Sequence, residues 1–371
     1  MKLNFLVLIL GLTMACGQTT QKPPVRSLAS LETKVDSLVG QWVHEDTPGV
    51  AVLVAYDGEP LISKGYGNRD MEAKQEITPT TNMRMASVSK QFTALTVLTL
   101  VEAGKLTLED PVINYLPYPI FEGITINHLL RHTSGLPDYY AHFDQNWPKT
   151  DIVENQDILD WLKTDPGPEF QPGEQWSYSN TAYLMLAVIV EKVSGMEFSN
   201  YAQSMVFQPL GMDRTQYFNL AVPVEIDERA RCYGKKGDTF QQVDGFFMNG
   251  IMGDGAVYTN LTDYLNYDQM LRKKAVFSES TYDLIHQPGE MAVKNSGDSI
   301  YYAMGWFVDQ DRKESSHSGG WFGTNTYVYR GLETPLTIAL FCNATDLMPM
   351  KSVALEIRSM AKSYLAHAGQ H

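Results

Sequence analysis

Apolar positions Leu28, Leu31, Val35, Leu38, Val39, Trp42 and Val43 recur at helical spacing and fall on one face, predicting an amphipathic helix. The period then shortens. Val50 to Tyr56 and Leu61 to Tyr66 flank Asp57-Gly58, the pattern of two strands joined by a tight turn. From about Ser87 to Leu271 the helical period returns, broken by long connections rich in Pro and Gly. Phe92, Leu95, Leu98 and Val101 mark one helix of this middle part, with Gly104 where a C-terminal cap belongs. An apolar run from Thr181 to Val193, stopped by Gly195, marks another. Strand patterns resume at Tyr301 to Val308, Glu314 to Ser318, Asn325 to Arg330 and Leu336 to Cys342, and Met350 to Ala366 closes the chain as an amphipathic helix. Strands at both ends with helices between them predict an α+β fold: one antiparallel sheet flanked by helices, with a large mainly helical insertion at about 85–275. The folded domain is expected to span 28–366.

Composition narrows the class. The chain has 371 residues, 44% of them hydrophobic, enough for one large or two interlocked cores. A net charge of −14, a pI near 5.0 and the lack of any basic run argue against a nucleic-acid surface. At the N-terminus Lys2 precedes an apolar run from Leu3 to Leu12, too short to span a bilayer comfortably and followed by small residues. Residues 1–15 therefore read as an export signal, and 16–27 as a polar tether. Cys16 directly after Ala15 resembles the cysteine that is lipidated in bacterial lipoproteins, although Thr13 and Met14 depart from the usual aliphatic and small residues. Two destinations follow, a periplasmic lipoprotein anchored through Cys16 or a secreted protein, with membrane contact only through that anchor. Cys232 and Cys342 could pair in an oxidising compartment or stay as buried thiols.

Ser87-Val88-Ser89-Lys90 brings candidate chemistry. Residues three apart share a helix face, so a hydroxyl nucleophile and an amine able to take its proton can meet. A helix start also offers unpaired N–H groups to developing negative charge. The pattern alone is weak: about one chance copy is expected in a chain this long, and Ser359-Met360-Ala361-Lys362 is such a copy, well inside a helical run. Tyr178-Ser179-Asn180 follows a loop stiffened by Pro166, Pro168 and Pro172 and enters the apolar helix. Tyr217-Phe218-Asn219 and Tyr264-Leu265-Asn266 match it without that setting. His317-Ser318-Gly319-Gly320 follows a strand pattern, and its small residues allow another backbone to approach the strand edge. His128 and His132 are four apart, a metal-pair spacing, with His142 nearby, but no glutamate completes a metalloprotease pattern. No metal or cofactor is expected.

In this order, Ser-x-x-Lys, Tyr-x-Asn and a basic residue followed by Ser-Gly, the three motifs resemble those of the serine β-lactamase and penicillin-binding protein superfamily, in its class C β-lactamase and D-Ala-D-Ala carboxypeptidase branch. Leu129 to Asp138, Phe170-Gln171-Pro172-Gly173, Pro209-Leu210-Gly211-Met212 and Gly253-Asp254-Gly255 add to the resemblance, which covers roughly 35–362. It implies a β-lactamase/transpeptidase-like fold with Ser87 as nucleophile and Lys90 and Tyr178 exchanging its proton. Backbone N–H groups of Ser87 and Gly320 would form the oxyanion hole. Asn180, His317, Ser318 and Gly319 would bind substrate: Asn180 the acyl side-chain amide, Ser318 the far end. Free lysine and tyrosine both titrate near 10, so either must be tuned to act as base, and which one loses the proton stays open. His317 stands where many β-lactamases carry lysine; near neutrality a histidine is a partly charged, pH-sensitive anchor for a carboxylate. The resemblance thus implies a serine hydrolase of D-amino-acid peptides (carboxypeptidase or D-aminopeptidase type) or of esters. The alternatives are a class C-type β-lactamase and a penicillin- or muropeptide-binding protein that does not turn over.

Overall fold

The computed structural model describes residues 28–289, 291–294 and 299–368. The export signal, the tether and Cys16 lie outside the described residues. Helix α1 (Leu28–Val39) leads into strands β1 (Val50–Tyr56) and β2 (Glu59–Tyr66). After the helical middle come β3 (Met291–Lys294), β4 (Ser299–Tyr302), β5 (Phe307–Asp309), β6 (Glu314–Trp321), β7 (Thr324–Gly331) and β8 (Leu336–Cys342). They form one eight-stranded sheet of order β3-β4-β5-β6-β7-β8-β1-β2, antiparallel throughout, so the two ends of the chain meet where β8 pairs with β1.

Alternate residues of β1 serve two different cores. Val50, Val52 and Val54 pack with α1 and with the last helix, Met350–Ala368, through Leu31, Val35, Val353 and Ile357. Ala51, Leu53 and Ala55 face the helical middle of the chain. Burial on both faces explains why β1 reads as a continuous apolar run rather than an alternating one. Two helices of the middle are enclosed nearly all round: Lys90–Glu102, buried from Lys90 to Leu100, and Asn180–Ser194, buried from Thr181 to Val190. Gly195 ends the second with φ of 71°, the left-handed cap that favours glycine.

Four details depart from the sequence reading. The first helix stops at Val39, and Trp42 is exposed. The strand expected from Tyr301 to Val308 is a hairpin, β4 and β5, turned at Gly305. A Cβ on Gly305 would lie 2.6 Å from the Gln91 amide nitrogen, so this turn is pressed onto the start of the Lys90 helix. β3 carries no strand pattern that the reading detected. Short antiparallel pairs also interrupt the helical middle, among them Met83–Arg84 against Val257–Thr259, which sits directly before Ser87.

Candidate active site

Ser87 lies in a 3₁₀ turn, Ala86–Ser89, that runs into the Lys90 helix. The turn is pinned by three hydrogen bonds, two to Val257 and one to Thr326. The Met85 amide donates to the Val257 carbonyl at 2.8 Å, Ser89 Oγ accepts from the Val257 amide at 3.1 Å, and Thr326 Oγ1 of β7 donates to the Met85 carbonyl at 2.9 Å. Ala86 adopts φ of 45°, a left-handed conformation costly for a residue with a Cβ and held only by such surroundings. Strand β6 crosses this turn at Gly319. A side chain there would run into Thr326 Oγ1 and come within 2.5 Å of the Met85 carbonyl oxygen, whereas a Cβ on Gly320 meets open space. The first glycine thus permits the approach of strand and turn, and the second faces the cleft.

The same edge is open because of register. β5 pairs with β6 only from Glu314 to Ser316, while β7 pairs with it through Trp321. From His317 to Trp321 the side of β6 away from β7 has no strand partner among the described residues.

Lys90 is 0% exposed. Its ammonium donates to the Asp254 carbonyl at 2.7 Å, to Asn180 Oδ1 at 2.9 Å and to Ser87 Oγ at 3.3 Å, which accounts for all three of its protons. A buried amine needs such acceptors, because each one missing would leave desolvated charge unpaired. Asn180 is placed by its helix start: its amide donates to Asp138 Oδ2 at 2.7 Å, and Ser179 caps the helix by accepting from the Ala182 amide. The resemblance gave Asn180 an acyl-amide contact; in the structure its side-chain oxygen holds Lys90.

Lys90 Nζ stands 4.9 Å from the centre of the Tyr178 ring. The Tyr178 hydroxyl is buried without a hydrogen-bond partner among the described residues, and the phenol meets the ammonium through its face. His132 positions it. The His132 Nδ1 accepts from the Ser179 amide at 3.1 Å, and its ring lies 4.3 Å from that of Tyr178. An accepting Nδ1 fixes the proton on Nε2, which finds no partner among the described residues. The other member of the metal-like pair, His128, shares a capping box with Thr125. Among the described residues no three His, Cys, Asp or Glu side chains gather as a metal set.

His317 corrects an expectation. It is 2% exposed, its Nδ1 lies 2.6 Å from the Ser318 carbonyl oxygen, and its Nε2 lies 3.1 Å from the Tyr302 hydroxyl. A carbonyl can only accept, so Nδ1 carries the proton and Nε2 accepts from Tyr302. Burial, and then the Lys90 charge, push the pKa down to about 3. His317 is therefore neutral at pH 7, not a partly charged anchor. Ser318 is exposed on the same edge.

Beside Ser87 opens a cleft of about 420 Å³ whose lining includes Asn180, Gly255, Gly320 and Trp321. It also includes Arg84, Tyr139 and Asp254, which the sequence reading did not assign. The signal for Arg84 was a lone charge inside the apolar run Met83 to Ala86. Asp254 lay in a stretch that carried the resemblance, but its partner Tyr139, whose hydroxyl donates to Asp254 Oδ2 at 2.7 Å, is 115 residues away. The competing motif copies fall elsewhere: Ser359 and Lys362 are exposed on the last helix, the Tyr217 hydroxyl pairs with Thr93, and that of Tyr264 with Gln91. Cys232 and Cys342 are both buried and free.

Residues 33–361 match the family described as Beta-lactamase. Penicillin-binding protein 4* of Bacillus subtilis (strain 168) is 36% identical over 309 residues, covering 80% of this chain and 68% of that protein. The octameric penicillin-binding protein homologue from Pyrococcus abyssi superposes with a TM-score of 0.77 at 25% identity, over 91% of this chain and 77% of that one. D-amino acid amidase from Ochrobactrum anthropi SV3 shares the fold, with a TM-score of 0.75 at 22% identity over 91% of this chain and 99% of that one. With its sheet, its turn at Ser87 and this match over nearly the whole described chain, the protein belongs to the beta-lactamase family.

Proposed function

We propose that the protein is a serine hydrolase that opens amide or ester bonds through an acyl-enzyme on Ser87, with D-amino-acid peptides, amides or esters as substrates. The observation that carries this reading is the buried Lys90, whose nitrogen reaches Ser87 Oγ, Asn180 and the Tyr178 ring face together. For acylation the Lys90–Tyr178 pair must first have given up one proton to solvent; it then takes the Ser87 proton as Oγ bonds to the carbonyl carbon. The oxyanion is received by the backbone N–H groups of Ser87 and Gly320, each such donor being worth about 3–4 kcal/mol. Collapse breaks the bond to the amine or alcohol, which leaves with the stored proton, and water releases the acyl group by the reverse relay.

A neutral His317 favours the members of this class with an uncharged leaving group, over β-lactams and over peptides whose leaving amino acid bears a free carboxylate. The leaving-group side offers no full positive charge to a carboxylate there, so substrates whose leaving group is uncharged fit it better. Similarity to a D-amino acid amidase fold is compatible with that preference. The test is intact-mass measurement after exposure to D-amino-acid amides, short-chain esters and penicillins: a transient adduct on wild type, absent from Ser87→Ala, is expected. Turnover of an ester by Ser87→Ala would overturn the assignment. We propose in addition that the protein is exported and lipidated at Cys16; a mature mass carrying no lipid, or none of the cleavage before Cys16, would refute it.

A further inference from the structure

Arg84 is 6% exposed, yet its Nε is buried with no hydrogen-bond acceptor, and the ion pairs formed among the described residues do not include it. A buried guanidinium without hydrogen-bonded partners is costly, and an arginine stays charged at every relevant pH. The neighbouring carboxylates are otherwise engaged. Asp244 pairs with Arg229 at 2.5 Å. Asp138 accepts from the Tyr140 and Asn180 amides. Asp254 accepts from Tyr139 and makes no hydrogen bond to Arg84; burial raises its pKa against the opposing pull of the Lys90 and Arg84 charges. Trp321 covers Arg84, with its ring centre 5.9 Å from the guanidinium carbon and its indole N–H held by Asn249 Oδ1 at 2.8 Å. What remains open to Arg84 is the cleft beside Ser87, which it lines.

The cleft also has a side. Asn180, Gly320 and Ser87 line it, whereas Tyr178 and His317, whose rings are 6.2 Å apart, do not. In the proposed relay the leaving group takes its proton from the Lys90–Tyr178 pair and so lies on the Tyr178 side of Ser87, which leaves the Arg84 cleft to the part of the substrate retained on Ser87.

We propose that Arg84 is a substrate-recognition residue that pairs with a carboxylate on the acyl side of the scissile bond, so that the enzyme selects D-amino-acid amides or peptides with an anionic acyl part. The proposal rests on the acyl-enzyme reading above. Guanidinium and carboxylate match as two parallel N–H···O bonds, a geometry that a carboxamide cannot equal.

The test uses malonyl, succinyl and glutaryl derivatives of D-alanine p-nitroanilide, each beside its terminal carboxamide. For at least one chain length, wild type should favour the acid in kcat/KM by roughly 10- to 100-fold, the range of a charge-assisted pair. Arg84→Gln should bring that ratio near one, and Arg84→Lys should keep part of it. Equal rates for acid and amide at every length in wild type would overturn the proposal whether or not the variants fold, and so would a preference that survives in Arg84→Gln. A second arm is independent of turnover: Ser87→Ala should bind the preferred acid more tightly than its amide by thermal shift, and equal binding would count against Arg84. Failure of a neutral fluorophosphonate to label wild-type Ser87 would instead refute the acyl-enzyme reading, a pattern distinct from turnover without charge preference.

Discussion

Ser87–Lys90 and Ser359–Lys362 carry the same spacing on helical backbone, and almost nothing else about them agrees. Lys90 is enclosed with three acceptors, one of them the serine. Lys362 is exposed, with its nitrogen 6.0 Å from the Tyr329 ring centre. Ser87 sits at a helix start under a glycine-lined strand edge; Ser359 is in the body of an outer helix. A motif of two residues specifies distance along a helix. Reactivity depends on what surrounds it, because only an enclosed site holds the amine against the serine oxygen and aims it with fixed partners.

The contrast can be tested from the serine outward. Ser87→Ala should abolish covalent labelling by fluorophosphonate, while Ser359→Ala labels like wild type. Lys90→Ala should slow acylation by about 10²–10⁴-fold, the range of general-base assistance, measured in single-turnover kinetics; equal loss in Lys362→Ala would erase the distinction. Gly319→Ala should cost about 1–3 kcal/mol of stability in denaturant titration and lower labelling, because the added carbon meets Thr326 and the Met85 carbonyl. Gly320→Ala, whose Cβ meets open space, should cost much less.

Buried histidines add a pH signature. Burial holds both His317 and His286 down at about 3. The unfolded chain binds those protons from about pH 6.5 downward while the native state refuses them, so stability is full above 6.5 and falls as pH drops toward 3. Each contributes a slope of up to about 1.4 kcal/mol per pH unit in that window. Urea midpoints should flatten over pH 4–6 in His286→Gln relative to wild type. The smallest expected effect is that of Lys362→Ala on stability, within about 0.5 kcal/mol.

Much of the fold was readable because helices and strands follow short-range periodicity. The pairs β1–β2 and β7–β8, the Lys90 and Asn180 helices, and the return of strands near the C-terminus all carry such patterns. The turn at Gly305 was missed for a different reason. Its glycine is needed by a contact with Gln91, more than 200 residues earlier, which no local pattern encodes. Site residues divide in the same way. Ser87, Lys90, Tyr178, Asn180 and His317 stand in recognisable order, whereas Arg84, Tyr139 and Asp254 acquire meaning only by meeting in one cleft.

Local spacing was therefore enough to name most of the elements, and the order of three short motifs along the chain to name the family and the candidate nucleophile. Folding was needed to make His317 neutral, to surround Lys90 with acceptors and to leave Arg84 without one. Charge state and hydrogen bonding are set by desolvation and by atoms within a few ångströms, and here those atoms come from segments far apart in the chain.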